Sequence, residues 1–192
     1  SMKRVFIIHG WDGSPDTNWL PWMKKELEAR GFRVTVPAMP DTGEPKIQAW
    51  VSHIRKVVGK PDTDTYFIAH SIGAQAVVRY LQTIQQKIGG ILHVAGWFTV
   101  SGLETEEEKE IARPWAETPI DYDAVRAVAP LSIAILSDDD PFVPLENAKL
   151  FRERLGAKVV IVHQKGHLTG EEDGVMEFPV ILEEFLKLAH AN

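Results

Sequence analysis

The sequence contains no cysteine. That excludes disulfides, cysteine nucleophiles and thiolate metal sites, and it fits a reducing, cytoplasmic setting. Long apolar runs are missing too, and none approaches the roughly 18 residues of a membrane span. No signal-peptide pattern opens the chain, because Arg4 leads straight into the short run Val5-Phe6-Ile7-Ile8. Positive charge is scarce: 21 Lys and Arg stand against 27 Asp and Glu, for a formal net charge of −6. No basic patch gathers anywhere, so neither nucleic acid nor a membrane is expected as a partner. The densest run of one sign is acidic, Glu104 to Glu110, and reads as the solvated face of a helix or loop. Ser1 ahead of Met2 reads as a cloning scar and is set aside.

What is present suits one globular domain over residues 1–192, with 44% apolar and 25% charged residues. Short β-branched runs alternate with longer amphipathic ones. Strands are expected at Val5–Ile8, Phe32–Val36, Tyr66–Ala69, Gly90–Ala95, Leu131–Leu136 and Val159–Val162. Helices are expected at Leu20–Arg30, Ile47–Val58, Ile72–Gln85, near Leu145–Leu155, and at Val175–Ala189 with Pro179 in its first turn. Residues 97–122, rich in Glu, Pro and Trp, lose this rhythm and read as an irregular insertion that could form a small lid. The alternation predicts an α/β fold, a mostly parallel sheet of about six strands with helices on both faces. Ligands of such sheets bind beyond the carboxyl ends of the strands.

Those ends carry the chemistry. Phe67-Ile68-Ala69-His70-Ser71-Ile72-Gly73-Ala74 runs from a strand through Ser71 directly into a helix. The pattern Gly-x-Ser-x-Gly marks a nucleophile elbow, whose sharp turn projects the serine hydroxyl and demands small residues two before and two after. Gly73 fits, and Ala69 departs from Gly by one methyl. The competing role for Ser71 is a plain helix N-cap.

A serine hydroxyl needs a base, and the base needs an orienting group. His93 falls inside a strand and His190 at the far end of the chain. His163 ends the last strand, whereas His167 sits in the following loop behind Gly166, where it can reach across to Ser71. Between Ser71 and His167 a strand delivers Asp138, Asp139 and Asp140. Side-chain alternation disfavours Asp139, and Pro141 stiffens the backbone of Asp140. The triplet could instead hold Mg²⁺ or Ca²⁺, but no other carboxylate-rich loop completes such a site. An oxyanion hole would use the backbone N–H of Ile72 and, from Ile8-His9-Gly10-Trp11, that of Trp11.

Taken together, Ile8-His9-Gly10-Trp11, Trp22-Met23-Lys24-Lys25-Glu26-Leu27, Met39-Pro40-Asp41, His70-Ser71-Ile72-Gly73-Ala74, Arg113-Pro114-Trp115, Asp139-Asp140-Pro141-Phe142-Val143-Pro144 and Gly166-His167 span nearly the whole chain. In these segments it resembles the small serine hydrolases of the retinoblastoma-binding-protein-nine and YdeN-like type. The resemblance implies a minimal α/β-hydrolase, without the antiparallel strands that larger members place first. It also implies a Ser71–Asp140–His167 triad, with Asp140 as the acid because it directly precedes Pro-Phe.

The expected function is hydrolysis of small acyl esters through an acyl-enzyme, with no metal and no cofactor. Six tryptophans are available, and Trp97 and Trp115 are expected to line a shallow acyl pocket. Two alternatives stand beside this: a protein-binding module on a hydrolase fold, and an acyltransferase.

Overall fold

The computed structural model describes residues 2–191, so the expectation about Ser1 lies outside the described residues. Six strands form one sheet: β1 (Arg4–Ile8), β2 (Arg33–Thr35), β3 (Thr65–His70), β4 (Gly90–Val94), β5 (Ser132–Ser137) and β6 (Lys158–Val162). Their spatial order is β2-β1-β3-β4-β5-β6, and every neighbouring pair is parallel. The connecting helices are α1 (Leu20–Glu28), α2 (Ile47–Val58), α3 (Ile72–Leu81), α4 (Glu106–Glu117), α5 (Tyr122–Val128), α6 (Glu146–Leu155) and α7 (Pro179–His190).

Strand side chains alternate faces, and the sheet divides the apolar interior accordingly. Val5 and Ile7 of β1, with Tyr66 and Ile68 of β3, face α1 and α7. Phe6, Ile8, Phe67 and Ala69 face the opposite way, into a cluster with α2, α3, α5 and α6. Both faces of the middle strands are therefore covered, which is why β3, β4 and β5 read as continuous buried runs.

The strands lie where periodicity predicts them, to within about one residue at most ends. The expected α2 matches at both ends. α3 stops at Leu81 instead of Gln85, and α7 starts at Pro179 instead of Val175, where the ring suits the first helical position. The larger correction concerns 97–122, which is not wholly irregular. Thr105 and Glu108 make a reciprocal capping box that opens α4, and Asp121 caps α5. Only Ala112 and Trp115 of α4 are buried, so the helix has little apolar periodicity to reveal it.

The chain runs from β1 out to the edge strand β2 and returns on the other side of β1 as β3. That reversal opens a crevice above the carboxyl ends of β1 and β3, the usual ligand position in such sheets.

Candidate active site

Ser71 follows β3 with φ 56° and ψ −125°. A non-glycine residue in this region carries strain of about 1–3 kcal/mol. The turn is pinned on the strand side by the Ser71 N–H donating to Val94 O at 2.9 Å. On the helix side it requires Gly73, since a Cβ there would lie 2.6 Å from His9 O and 2.9 Å from Ile8 O. Ala69, the departure from the elbow pattern, is fully buried in β3 opposite Ile8 and His93. The Ser71 side chain makes no capping bond to α3.

Instead, Ser71 Oγ lies 2.8 Å from His167 Nε2, and His167 Nδ1 lies 2.8 Å from Asp140 Oδ2. A carboxylate only accepts, so Nδ1–H donates to Asp140 and Nε2 is left to accept the Ser71 hydroxyl; the proton positions follow from this network. The Asp140 side chain is 1% exposed. Its Oδ1 accepts the N–H groups of Phe142 and Val143 at 2.9 and 3.1 Å, which fixes the carboxylate plane. Phe142 sets its ring edge against the imidazole of His167, with centroids 5.3 Å apart.

The other two aspartates point elsewhere. Asp138 accepts from Gln164 N–H and from His163 Nδ1, and these contacts hold its carboxyl below the usual range. Asp139 accepts from the Ser137 hydroxyl and from Gly166 N–H. His163 is thus a surface partner of Asp138, His93 is buried in β4 against Phe151, and His190 ends α7.

No motif or spacing in the sequence points to Asp173. Its Oδ2 accepts from the N–H groups of His167 and Thr169 and from the Thr169 hydroxyl. His9 steadies the loop after β1: Nδ1–H donates to Gly10 O at 2.8 Å, and Nε2 accepts Met39 N–H at 3.0 Å.

Ser71 and His167 open onto a cleft of about 750 Å³. Trp11, Trp97, Phe142 and Ile111 supply apolar wall, and Asp12, Asp16, Glu107, Glu108, Glu171 and Glu172 line it as well. Among the described residues no Lys or Arg lines it. Trp97 is therefore at the cleft, but Trp115 is not. Trp115 is 1% exposed, donates its Nε1–H to Pro45 O and packs edge-on against Trp50. It anchors α4 to the core, because a whole indole buried under that helix covers more apolar surface than one left at the rim.

A six-stranded parallel sheet flanked by helices, with a serine on a strained strand-to-helix turn, defines an α/β-hydrolase. The chain belongs to the serine hydrolase family, whose sequence profile matches residues 5–187. It is 28% identical to the Bacillus subtilis hydrolase YdeN over 183 residues, which are 94% of this chain and 93% of that one. It is 30% identical to the Rattus norvegicus serine hydrolase RBBP9 over 173 residues, covering 88% and 89% of the two chains. The crystal structure of the Bacillus subtilis ydeN product superposes with a TM-score of 0.88 at 26% identity, over 97% of this chain and 98% of that one. Est1E from Butyrivibrio proteoclasticus, at 17% identity, shares the fold with a TM-score of 0.74 over 98% of this chain and 88% of its own. No described helix is long and apolar enough to cross a membrane.

Proposed function

We propose that this serine hydrolase cleaves small acyl esters through a covalent acyl-enzyme on Ser71, with His167 as base and Asp140 as the orienting acid. The observation that carries the reading is the continuous hydrogen-bonded line Ser71 Oγ, His167 Nε2, His167 Nδ1, Asp140 Oδ2, opening onto an aromatic-walled cleft. As Ser71 Oγ bonds to the substrate carbonyl carbon, its proton passes to His167 Nε2, and Asp140 stabilises the imidazolium. His167 then returns the proton to the departing alcohol oxygen as the ester C–O bond breaks. A water molecule gives its proton to His167 and adds to the acyl carbon. The acid leaves and the proton goes back to Ser71 Oγ.

The negative oxygen formed at each addition is assigned to the N–H groups of Trp11 and Ile72. Ile72 opens α3, so its N–H has no acceptor within the helix. The neighbouring Asp12 and Gly13 N–H groups are committed to Thr42 O and Gly10 O, which leaves the Trp11 N–H for a ligand. This chemistry draws on the chain's own groups, without metal or cofactor. The whole chain acts as one domain in this reading, with α4 forming one wall of the cleft in place of a full lid.

The deciding experiment is Ser71→Ala. The variant is expected to stay folded and to lose ester hydrolysis and fluorophosphonate labelling together. A label mapped by mass spectrometry to another serine refutes the assignment, and a folded wild type that neither labels nor hydrolyses esters favours a binding module. A graded series of p-nitrophenyl esters tests the substrate range. The acidic rim and partial cap favour short, uncharged acyl chains, so kcat/KM should peak below about eight acyl carbons and carboxylate-bearing acyl groups should be poor. A steady rise beyond that length overturns the short-chain reading.

A further inference from the structure

The residue before the nucleophile is tied to the backbone of the base. His70 closes β3 and is 3% exposed. Its Nε2 lies 2.9 Å from His167 O. A carbonyl only accepts, so Nε2 carries the proton and donates it there. Nδ1 is then bare, and it faces the Asn18 side-chain amide at 3.5 Å. Asn18 Oδ1 in turn accepts Gly170 N–H at 2.8 Å, three residues beyond the base. Trp19 stands edge-on to the His70 ring and donates its Nε1–H to Leu168 O at 3.1 Å.

The segment being held has reason to need it. Gln164, Gly166 and Leu168 all adopt φ between 55° and 57°, so every second residue around His167 sits in the left-handed region. The two non-glycine residues there are strained, and such conformations persist only where surrounding contacts impose them. The His167 peptide is fixed on both sides, its N–H by Asp173 and its carbonyl by His70. The His70 contact differs from the Asp173 contact in one respect: His70 is covalently joined to Ser71. A closed ring results, from the Ser71 backbone through the His70 side chain to His167 O, and from the His167 imidazole back to Ser71 Oγ.

We infer that His70, steadied by Asn18, is a positioning residue that sets the Ser71–His167 separation through the His167 carbonyl. This rests on the catalytic reading of Ser71 and His167. His70 does not touch the substrate's reacting atoms in this role; it acts only through the base. Burial, then the neighbouring His167, lowers the His70 pKa to about 3, and the His167 carbonyl and Asp173 offset this only in part, with His9 lowering it further. The ring therefore stays neutral near pH 7, with its single proton on Nε2.

The test uses full-length His70→Phe, which keeps a planar ring without a donor, and His70→Gln, whose amide N–H can stand in for Nε2–H. The readouts are kcat and KM for p-nitrophenyl acetate, the fluorophosphonate labelling rate, and the melting temperature. A misplaced base slows the chemical step more than it weakens binding. His70→Phe should therefore lower kcat and labelling at least about tenfold while KM stays within about twofold. His70→Gln should recover most of that loss. A folded His70→Phe with wild-type kcat and labelling overturns the inference, as does a folded His70→Gln no better than His70→Phe. Should His70→Phe fail to fold, Asn18→Gly decides. Glycine tolerates the φ of 55° at that position, and the substitution removes both side-chain contacts. A kcat lowered at least about threefold supports the arrangement, and an unchanged kcat overturns it. The clamp alone fails if Ser71→Ala is inactive while His70→Phe is normal; if Ser71→Ala keeps full activity, the catalytic reading fails and the clamp with it.

Discussion

Three consecutive carboxylates leave β5, and each meets a different partner. Asp138 holds His163 and Gln164, Asp139 holds Gly166, and Asp140 alone reaches the imidazole of His167. Asp140→Asn should fold normally and lose on the order of 10⁴ in kcat, because an amide cannot stabilise the imidazolium. Asp138→Asn and Asp139→Asn should keep most of the activity, since an amide oxygen can still accept the loop N–H groups. Steady-state kinetics on one activated ester separates the three, and a severe loss at Asp138→Asn beside a near-normal Asp140→Asn would reverse the roles. Alternation along the strand could only weaken Asp139. Which of the remaining two meets His167 depends on the turn that Pro141 and the Phe142 and Val143 N–H groups impose, and periodicity does not encode a turn. The meeting of Ser71 with His167 was legible because the elbow and the Gly-preceded loop are local patterns. Asp173 was not, because its three donors are arranged by a loop whose shape no spacing rule describes.

At the scale of the element, α2 and α4 mark the two extremes of legibility. α2 buries Trp50, Val51, Ile54 and Val58 on one face, and the 3.6-residue period alone delimits it. α4 buries two residues of twelve, includes Pro114 and begins in an acidic run, so only the Thr105–Glu108 capping pair, not read from the sequence, could have marked its start. Trp115 was expected at the pocket because its helix was not seen, and a tryptophan in an unstructured insertion has no inward face. Beside Trp115, Arg79 of α3 fastens α4 to the body. Its guanidinium donates to Gln75 Oε1, Trp115 O and Thr118 O while 2% exposed. Arg79→Met should lower stability by about 1–3 kcal/mol, because it leaves the Trp115 and Thr118 backbone carbonyls and Gln75 Oε1 without their donor. The loosened α4, a wall of the cleft, should also raise KM more than it lowers kcat. Urea unfolding and steady-state kinetics on the same preparation check both. Unaltered stability would mean that α4 is held by its apolar contacts alone.

Across the whole molecule, buried imidazoles tie stability to pH. Burial, the largest cause in each case, lowers the pKa of His9, and lowers those of His70 and His93 to about 3. In the unfolded chain these groups bind protons below about 6.5, whereas the folded chain leaves His70 and His93 neutral until about 3. The unfolded state thus holds more protons across that window, so stability is full above it and is lost as pH falls through it. The melting temperature should drop steadily on acidification from pH 6.5 towards 4. His93 has no hydrogen-bond partner on either ring nitrogen among the described residues, so His93→Leu should shallow the slope without loss at pH 7. An unchanged slope would remove His93 from the account. The all-parallel order of the strands has a consequence in time. Each neighbouring pair closes only after a full crossover, so local contacts are few and folding is expected to be slow. Ser71 and His167 are 96 residues apart, and β6, which the His167 loop follows, joins the sheet last in chain order. A ribosome would therefore release Ser71 well before His167, and the growing chain would carry a serine without its imidazole partner until β6 and the loop after it emerged.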